Sequence, residues 1–460
     1  MIHPVPAAHF FERALVDGEV CHNVRLLVNP SGFIDSVNAN QTAHADDRRH
    51  AAGLAGMPNT HSHAHQYALA GRTERASEQD DNFWSWRTAM YRFVARMEPE
   101  QLQAVAAQLY VDLLKGGYTS VGEFHYVHHD RDGAPFSDIA LMSEQLLAAA
   151  QAAGIGITVL PVLYRYGDFA KSAPSREQRR FINDPESYLR IVSALGTAVR
   201  DEPLQSVGLA PHSLRAVSPE LLAEVLAGSP LGDDAPVHIH VAEQTREVAD
   251  ARRVLKKAPV EFLLDNFDVD RRWCLIHATH MSADETERLA QSGAVAGICP
   301  TTEANLGDGL FPTHRYCTHG GQLAVGSDSN VATDAVGELR LLEYVQRLKR
   351  RERNVLAGRP GASTGEQLLT RAQVGGAQAL GQAVGSLSAG RRADFVTLNT
   401  DDPMLIAREQ DVFDAYVFAA GARAVRDVYV AGQQVIDQGH HAKEDEILRA
   451  FRAALETATP

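Results

Sequence analysis

Eight times between residues 54 and 350 a short apolar run is followed by a longer segment of helical period, and that count is what most restricts the fold. The apolar runs, rich in Val and Ile, occupy residues 54–59, 119–124, 155–163, 207–210, 237–241, 273–276, 294–298 and 322–326. Helical sequence follows at 100–115, 140–153, 185–200, 219–226, 246–266 with at least one break, 282–292, near Pro312, and at 336–350. Eight strand–helix units are the count of a (β/α)8 barrel. A doubly wound open sheet alternates in the same way, but it has no reason to stop at eight, and no GxGxxG follows the first run. An α/β TIM-like barrel is therefore the expected architecture.

The ends have a different period. Short alternating segments lie around residues 14–15, 24–28 and 33–37, and again at 393–398, 415–419 and 425–436, with a tight turn at Ala431-Gly432. Period-two segments with glycine turns predict a small antiparallel sheet. The reading is a β-sandwich domain built from both termini, 1–53 and 384–440, with the barrel of 54–383 inserted in it. In the C-terminal segment 441–460, Ile447, Phe451 and Leu455 recur at spacing four and predict an amphipathic helix.

Charge and cysteine content restrict the function classes. With 44 basic against 58 acidic residues the net charge is −14, which argues against a nucleic-acid partner. The N-terminal sequence has no basic region followed by an apolar stretch, so no signal peptide is expected, and four scattered cysteines fit a reducing cytoplasm. Residues 145–164 carry no charge and are long enough to be a membrane candidate. Their interior Gly154, Gly156 and Pro161, and the switch from alanine-rich to β-branched sequence, read instead as a helix end, a turn and a strand. No membrane partner is expected.

In a barrel, function collects where the strands end. There the sequence places His61 and His63 after the first strand, His240 after the fifth, His277 after the sixth and Asp328 after the eighth. Residues two apart in extended backbone point the same way, so the His61 and His63 imidazoles can reach one ion. Any one of these residues alone reads as a core or loop polar group. Three His and one Asp on one rim form a donor set for a first-row divalent metal, zinc first and iron(II) second. Arginines share that rim: Arg87 closes the aromatic loop Asn82-Phe83-Trp84-Ser85-Trp86, and Arg215 ends His212-Ser213-Leu214-Arg215. Their planar forks suit a small anionic substrate, a dicarboxylate better than a neutral purine.

The segments Pro-Asn-Thr-His-Ser-His, His-Val-Ala-Glu, His-Ala-Thr-His and Gly-Ser-Asp resemble the amidohydrolase superfamily, in particular its mononuclear deaminase branch. The resemblance implies one metal on His61, His63, His240 and Asp328. The carboxylated lysine of binuclear members is absent from Gly-Leu-Ala-Pro-His-Ser-Leu-Arg, which supports a single ion. It also implies Glu243 as proton shuttle, His277 as the group that polarises the attacked centre, and Asp328 as both ligand and base. Phe-Phe-Glu-Arg-Ala-Leu, Glu-Phe-His-Tyr-Val-His-His-Asp and Thr-Glu-Ala-Asn-Leu-Gly-Asp-Gly carry the likeness along the chain to the branch members that hydrolyse N-formimino-L-glutamate to N-formyl-L-glutamate and ammonia, a step of histidine degradation. For that substrate the matching positions are Gln66 near the formimino end and Arg87, Tyr126, His212 and Arg215 at the glutamate part. Those members usually have Phe where this chain has His65, and a homodimer is what they imply. The alternatives are a nucleobase or guanidine-type deaminase of the same branch and a noncatalytic binding barrel.

Overall fold

The structure is a computed structural model that describes residues 7–76 and 81–458; the outermost positions of the expected terminal segments, 1–6 and 459–460, lie outside the described residues. Four strands come first: β1 (Ala7–Val16), β2 (Glu19–Val28), β3 (Ile34–Asn38) and β4 (Arg48–Ala55). The run expected at 54–59 divides at Gly56, so β4 ends in the terminal sheet and β5 (Met57–Ser62) starts a second set of strands. That set continues as β6 (Tyr118–His125), β7 (Gly156–Leu163), β8 (Gln205–Val207), β9 (Ala210–Pro211), β10 (Val237–Val241), β11 (Trp273–His277), β12 (Val295–Ile298) and β13 (Gln322–Val325). The fourth expected strand is thus two short pieces, β8 and β9, both paired with β7.

All pairings in this set are parallel. They form one group from β5 to β9 and another from β10 to β13. Single parallel bridges, Leu209 to Val237 and Ser62 to Asp328, join the two groups at both edges and close them into a ring. Residues of β5, β6, β7 and β10 to β12 are buried throughout, which is why these runs lack polar alternation.

Helices cover the outside: α1 (Phe83–Val94), α2 (Pro99–Lys115), α3 (Leu141–Ala153), α4 (Pro185–Ala198), α5 (Pro219–Ala227), α6 (Thr245–Leu255), α7 (Pro259–Asn266), α8 (Ala283–Gln291), α9 (Pro300–Leu306), α10 (Thr313–Thr318) and α11 (Ala335–Arg350). The break expected in 246–266 falls between α6 and α7, where Lys256 closes one helix at φ +62° and Pro259 opens the next. The uncharged stretch 145–164 is the end of α3, a turn and β7, as its pattern indicates. Among the described residues no helix is long and apolar enough to cross a membrane.

Two helices here differ from the sequence reading. The aromatic stretch expected as a loop is α1, nucleated by Asn82, whose side chain accepts from the backbone of Trp84 and Ser85 while Ser85 caps in return. A helix with no counterpart in the sequence reading, α12 (Thr364–Leu380), underlies the ring. Its carbonyls at Ala379 and Leu380 accept from His238 Nε2 and Thr158 Oγ1, and its Gln373 donates to Ala55 O. α12 therefore plugs the end where the strands begin.

The terminal strands form one continuously bonded sheet in the order β17-β16-β15-β14-β4-β1-β2-β3. It adds β14 (Phe395–Leu398), β15 (Val425–Val430), β16 (Gln433–Asp437) and β17 (His440–His441) to the first four strands, β14 lying antiparallel to β4. Phe11, Val24, Leu26, Phe395 and Tyr429 share its core. Ala431 and Gly432 both take positive φ, +48° and +73°, as the tight turn between β15 and β16 demands. The strand expected at 415–419 is helical instead: α13 (Val412–Ala415) runs on through a wide turn at Tyr416–Ala420. Val412, Phe413, Tyr416 and Val417 recur at helical spacing and are all buried. The predicted C-terminal helix is α14 (Glu444–Ala458).

α12 lies close to β13 because Gly375 has no side chain: a Cβ there would stand 2.0 Å from the Leu323 carbonyl oxygen. Gly375→Ala is expected to destabilise the protein by about 1–3 kcal/mol through forced separation of helix and strand. Gly232→Ala, where a Cβ meets nothing within 4 Å, is the control. Urea denaturation midpoints check the pair.

Candidate active site

The seam that closes the ring also carries the donors. Asp328 N–H donates to His61 O at 2.9 Å and His63 N–H donates to Asp328 O at 2.9 Å. Asn330 Nδ2 ties the same turn by donating to His63 O and Asp328 O. His61 lies near the end of β5 and His63 just beyond it, and the seam sets Asp328 against them. Asp328 and His277 sit at φ +47° and +68°. Non-glycine residues hold that conformation where their surroundings stabilise it.

Three imidazole nitrogens converge there. His61 Nε2 is 3.2 Å from His63 Nε2 and 3.0 Å from His240 Nε2. Asp328 Oδ1 lies 3.6 Å from His61 Nε2 and 3.3 Å from His63 Nε2. His63 donates through Nδ1 to Phe124 O at 2.7 Å, and His240 through Nδ1 to His212 O at 3.2 Å. Those bonds place the proton on Nδ1 in both rings and leave each Nε2 a bare lone pair. Burial lowers all three pKa values, that of His63 to about 3, so none relieves the crowding by protonation. A single proton on His61 Nε2 can satisfy only one of its two neighbours. Lone pairs meeting at such distances fit a cation, and donors about 2.0–2.1 Å from a tetrahedral zinc stand about 3.3 Å apart. The residues therefore fit one first-row ion.

Beside this cluster is a proton-transfer set. His277 Nε2 lies 3.7 Å from Asp328 Oδ2 and 3.8 Å from Glu243 Oε1, while Nδ1 is 3.2 Å from Glu303 Oε1. Burial by itself lowers the His277 pKa, but Glu243, Glu303 and Asp328 carry it up to about 10. Burial pushes Asp328 up to about 7, with His277 opposing and Glu243 and Glu303 adding. The proton of this pair belongs on the imidazole. Cys299 is close enough to be grouped with His277 and Asp328. Burial, then the nearby carboxylates, hold its thiol well above the usual range, so it is no thiolate donor.

A cavity opens above these groups. Every expected substrate residue lines it: Gln66, Arg87, Tyr126, His212 and Arg215, together with His63, His240, Glu243, His277 and Asp328. Arg215 is buried, with Nη2 3.6 Å from Glu243 Oε2 and Nε 3.9 Å from Glu247 Oε2. Both distances exceed a hydrogen bond, and Nε has no hydrogen-bond partner among the described residues. Arg87 stacks its guanidinium 4.5 Å from the Trp84 ring. The cavity thus has a cationic side and a carboxylate–imidazole floor.

The sequence reading gave no role to Glu303, Glu247 or Asp308, nor to the aromatic wall of Tyr91, Tyr164 and Phe181. Glu303 and Asp308 stand in Thr-Glu-Ala-Asn-Leu-Gly-Asp-Gly directly after the seventh strand of the ring, so their place at a strand end was the available signal. Asp308, which burial pushes up to about 8, accepts from Gln244 Nε2. His128, His129 and His280 each bond a backbone carbonyl, of Val162, Ile182 and Asp308 respectively. His65 is fully buried against Tyr126.

The amidohydrolase family model matches residues 53–435. The chain belongs to the amidohydrolase family. It is 48% identical over 446 residues to a formimidoylglutamate deiminase of Pseudomonas aeruginosa, covering 97% of this chain and 98% of the relative. A crystal structure of an amidohydrolase from Brucella melitensis superposes with a TM-score of 0.93 at 46% identity, over 99% of this chain and 100% of that one. An adenosine deaminase from Xanthomonas campestris with bound zinc shares the fold, with a TM-score of 0.81 at 22% identity over 99% of each chain.

For this amidohydrolase the convergent lone pairs make metal content the direct check. The purified protein is expected to hold about one equivalent of divalent metal. His240→Ala and His63→Ala should each cut it to roughly a tenth or less at equal protein and moderate chelator. Elemental analysis reads both; full metal retention in either variant would remove that imidazole from the ligand set.

Proposed function

We propose that this amidohydrolase hydrolyses the formimino C=N bond of N-formimino-L-glutamate to give N-formyl-L-glutamate and ammonia. The observation that carries the reading is one cavity with Arg87 and Arg215 on one side and the Glu243–His277–Asp328 set on its floor. An anionic amino-acid derivative with a basic amidine at its far end matches both. The extended identity to the Pseudomonas aeruginosa deiminase supports the same substrate.

His61, His63, His240 and Asp328 would hold the metal, zinc in preference to iron(II). When bound, it supplies a Lewis acid that brings the pKa of water toward neutrality. Arg87, Arg215, Tyr126 and His212 anchor the glutamate carboxylates, and Gln66 faces the formimino end. Asp328 Oδ2 accepts a proton from the attacking water. That proton is handed on through Glu243 Oε1 to the imino nitrogen as the carbon–oxygen bond forms, so both carboxylates end as they began. His277 Nε2 donates to the oxygen arriving at the carbon. A second proton passed from that oxygen to nitrogen breaks the carbon–nitrogen bond, so ammonia leaves and the formyl C=O is completed. Water is consumed and no redox change occurs.

The domain organisation belongs to the same reading: a (β/α)8 barrel at 54–383, inserted in a small β-sandwich domain of 1–53 and 384–440, with a C-terminal helical segment at 441–460. The antiparallel pairing of β14 with β4 supports it.

The test is turnover. Metal-loaded protein should release ammonia and N-formyl-L-glutamate in equal amounts. Glu243→Gln should lower kcat by about 10²–10⁴-fold with metal retained. Arg87→Met and Arg215→Met should each raise KM about tenfold or more. Faster ammonia release from cytosine or guanine than from N-formimino-L-glutamate would move the reading to a nucleobase deaminase.

A further inference from the structure

Tyr126, on the cavity wall, meets two side chains of the helical turn Ala64–Leu69. His65 Nε2 lies 3.1 Å from its phenol oxygen and Gln66 Nε2 lies 3.0 Å away. All three residues are buried. The amide of Gln66 donates to the phenol oxygen. His65 has two choices: to donate through Nε2–H, or to accept the phenol proton at a bare Nε2.

The other ring nitrogen decides between them. His65 Nδ1 is buried and has no hydrogen-bond partner among the described residues. A proton on Nδ1 would be a buried N–H without an acceptor, and such orphaned donors are rarer and more costly than under-used acceptors. The tautomer protonated at Nε2 avoids that cost, and its N–H donates to Tyr126. With two donors on the phenol oxygen, the phenol's own proton must point elsewhere. The remaining contact is Met90 Sδ at 3.8 Å, a weak acceptor that a ligand oxygen can replace.

We propose that His65 is a positioning residue that makes Tyr126 a one-way hydrogen-bond donor, aimed at a carboxylate of the bound substrate. The inference deepens the reading of function above and rests on it. A phenol held in this way gives a carboxylate a charge-assisted hydrogen bond and offers nothing to a ligand that donates at the same point. Without His65 the phenol proton is free to turn toward whatever replaces the imidazole, and the preference for an anion weakens. His65 touches no reacting atom in this scheme, so its loss belongs in substrate binding.

Kinetics of four variants with N-formimino-L-glutamate test this. His65→Phe is expected to raise KM about tenfold, with a much smaller fall in kcat. His65→Gln, which returns an N–H donor, should recover most of that loss. On a Tyr126→Phe background His65→Phe should change KM by less than about twofold, since the proton it directs is gone. The dissociation constant of N-formyl-L-glutamate, read by calorimetry, should move by the same factor as KM. Should His65→Phe not fold, His65→Leu removes the same N–H at smaller volume, with the same expected and overturning results. A wild-type KM in the single variant overturns the inference, and so does a full-sized effect that persists without the Tyr126 hydroxyl. Wild-type protein that turns over no N-formimino-L-glutamate overturns the reading of function, and this inference with it.

Discussion

The hydrogen bonds between β5 and the turn after β13 are the interaction on which the rest depends. They close the ring, and the residues they join are those that carry the converging donors. Asp328 donates to His61 and His63 donates to Asp328, so the backbone bond that completes the fold also sets the spacing of three side chains. Neither half of the chain contains a site without the other: His61 and His63 precede Asp328 by some 265 positions and meet it only when the last strand reaches the first. Closure and function are thus one event. Left-handed backbone at Asp328 and His277 is stabilised by the neighbours that closure supplies.

Electrostatics divide the cavity floor in two. His61, His63 and His240 are kept neutral by burial, and two of them are held by backbone carbonyls with their lone pairs inward. A few ångströms away, Glu243, Glu303 and Asp328 surround His277 and keep its proton in place. Imidazoles of the same chain therefore serve opposite ends, donor to a cation in one case and acid in the other, because different groups face their second nitrogens. Arg215 links this floor to the cationic wall, since the carboxylates that neutralise it stand too far away to occupy its N–H groups.

Much of this was legible in the sequence because the ring turns linear order into spatial order. Strand ends share one rim, so His61, His63, His240, His277 and Asp328 could be grouped from their places after apolar runs. Where sequence pattern failed, tertiary contact had overruled it. α1 is aromatic and reads as a loop, yet Asn82 and Ser85 cap it and the cavity wall packs against it. α12 was not read, although a Ser363 cap, a Gly381 end and a helical apolar stripe were available. Residues 415–419 looked like a strand because a short apolar run does not reveal its period. Glu303 and Asp308 act on other side chains, and nothing in their spacing shows that they face His277 and Gln244.

The plug made by α12 has a consequence for traffic. With the lower end of the ring filled by helix and by the side chains that bond to its last carbonyls, the chamber is a cul-de-sac. Among the described residues that end is closed, and the cavity lies at the other, where the strands finish. In the proposed reaction ammonia is formed at the deep end, and the larger acyl product lies between it and the exit. Departure then becomes a queue: the small product must slip past the large one or wait for it. The order in which the two emerge is a property of the architecture as much as of the chemistry.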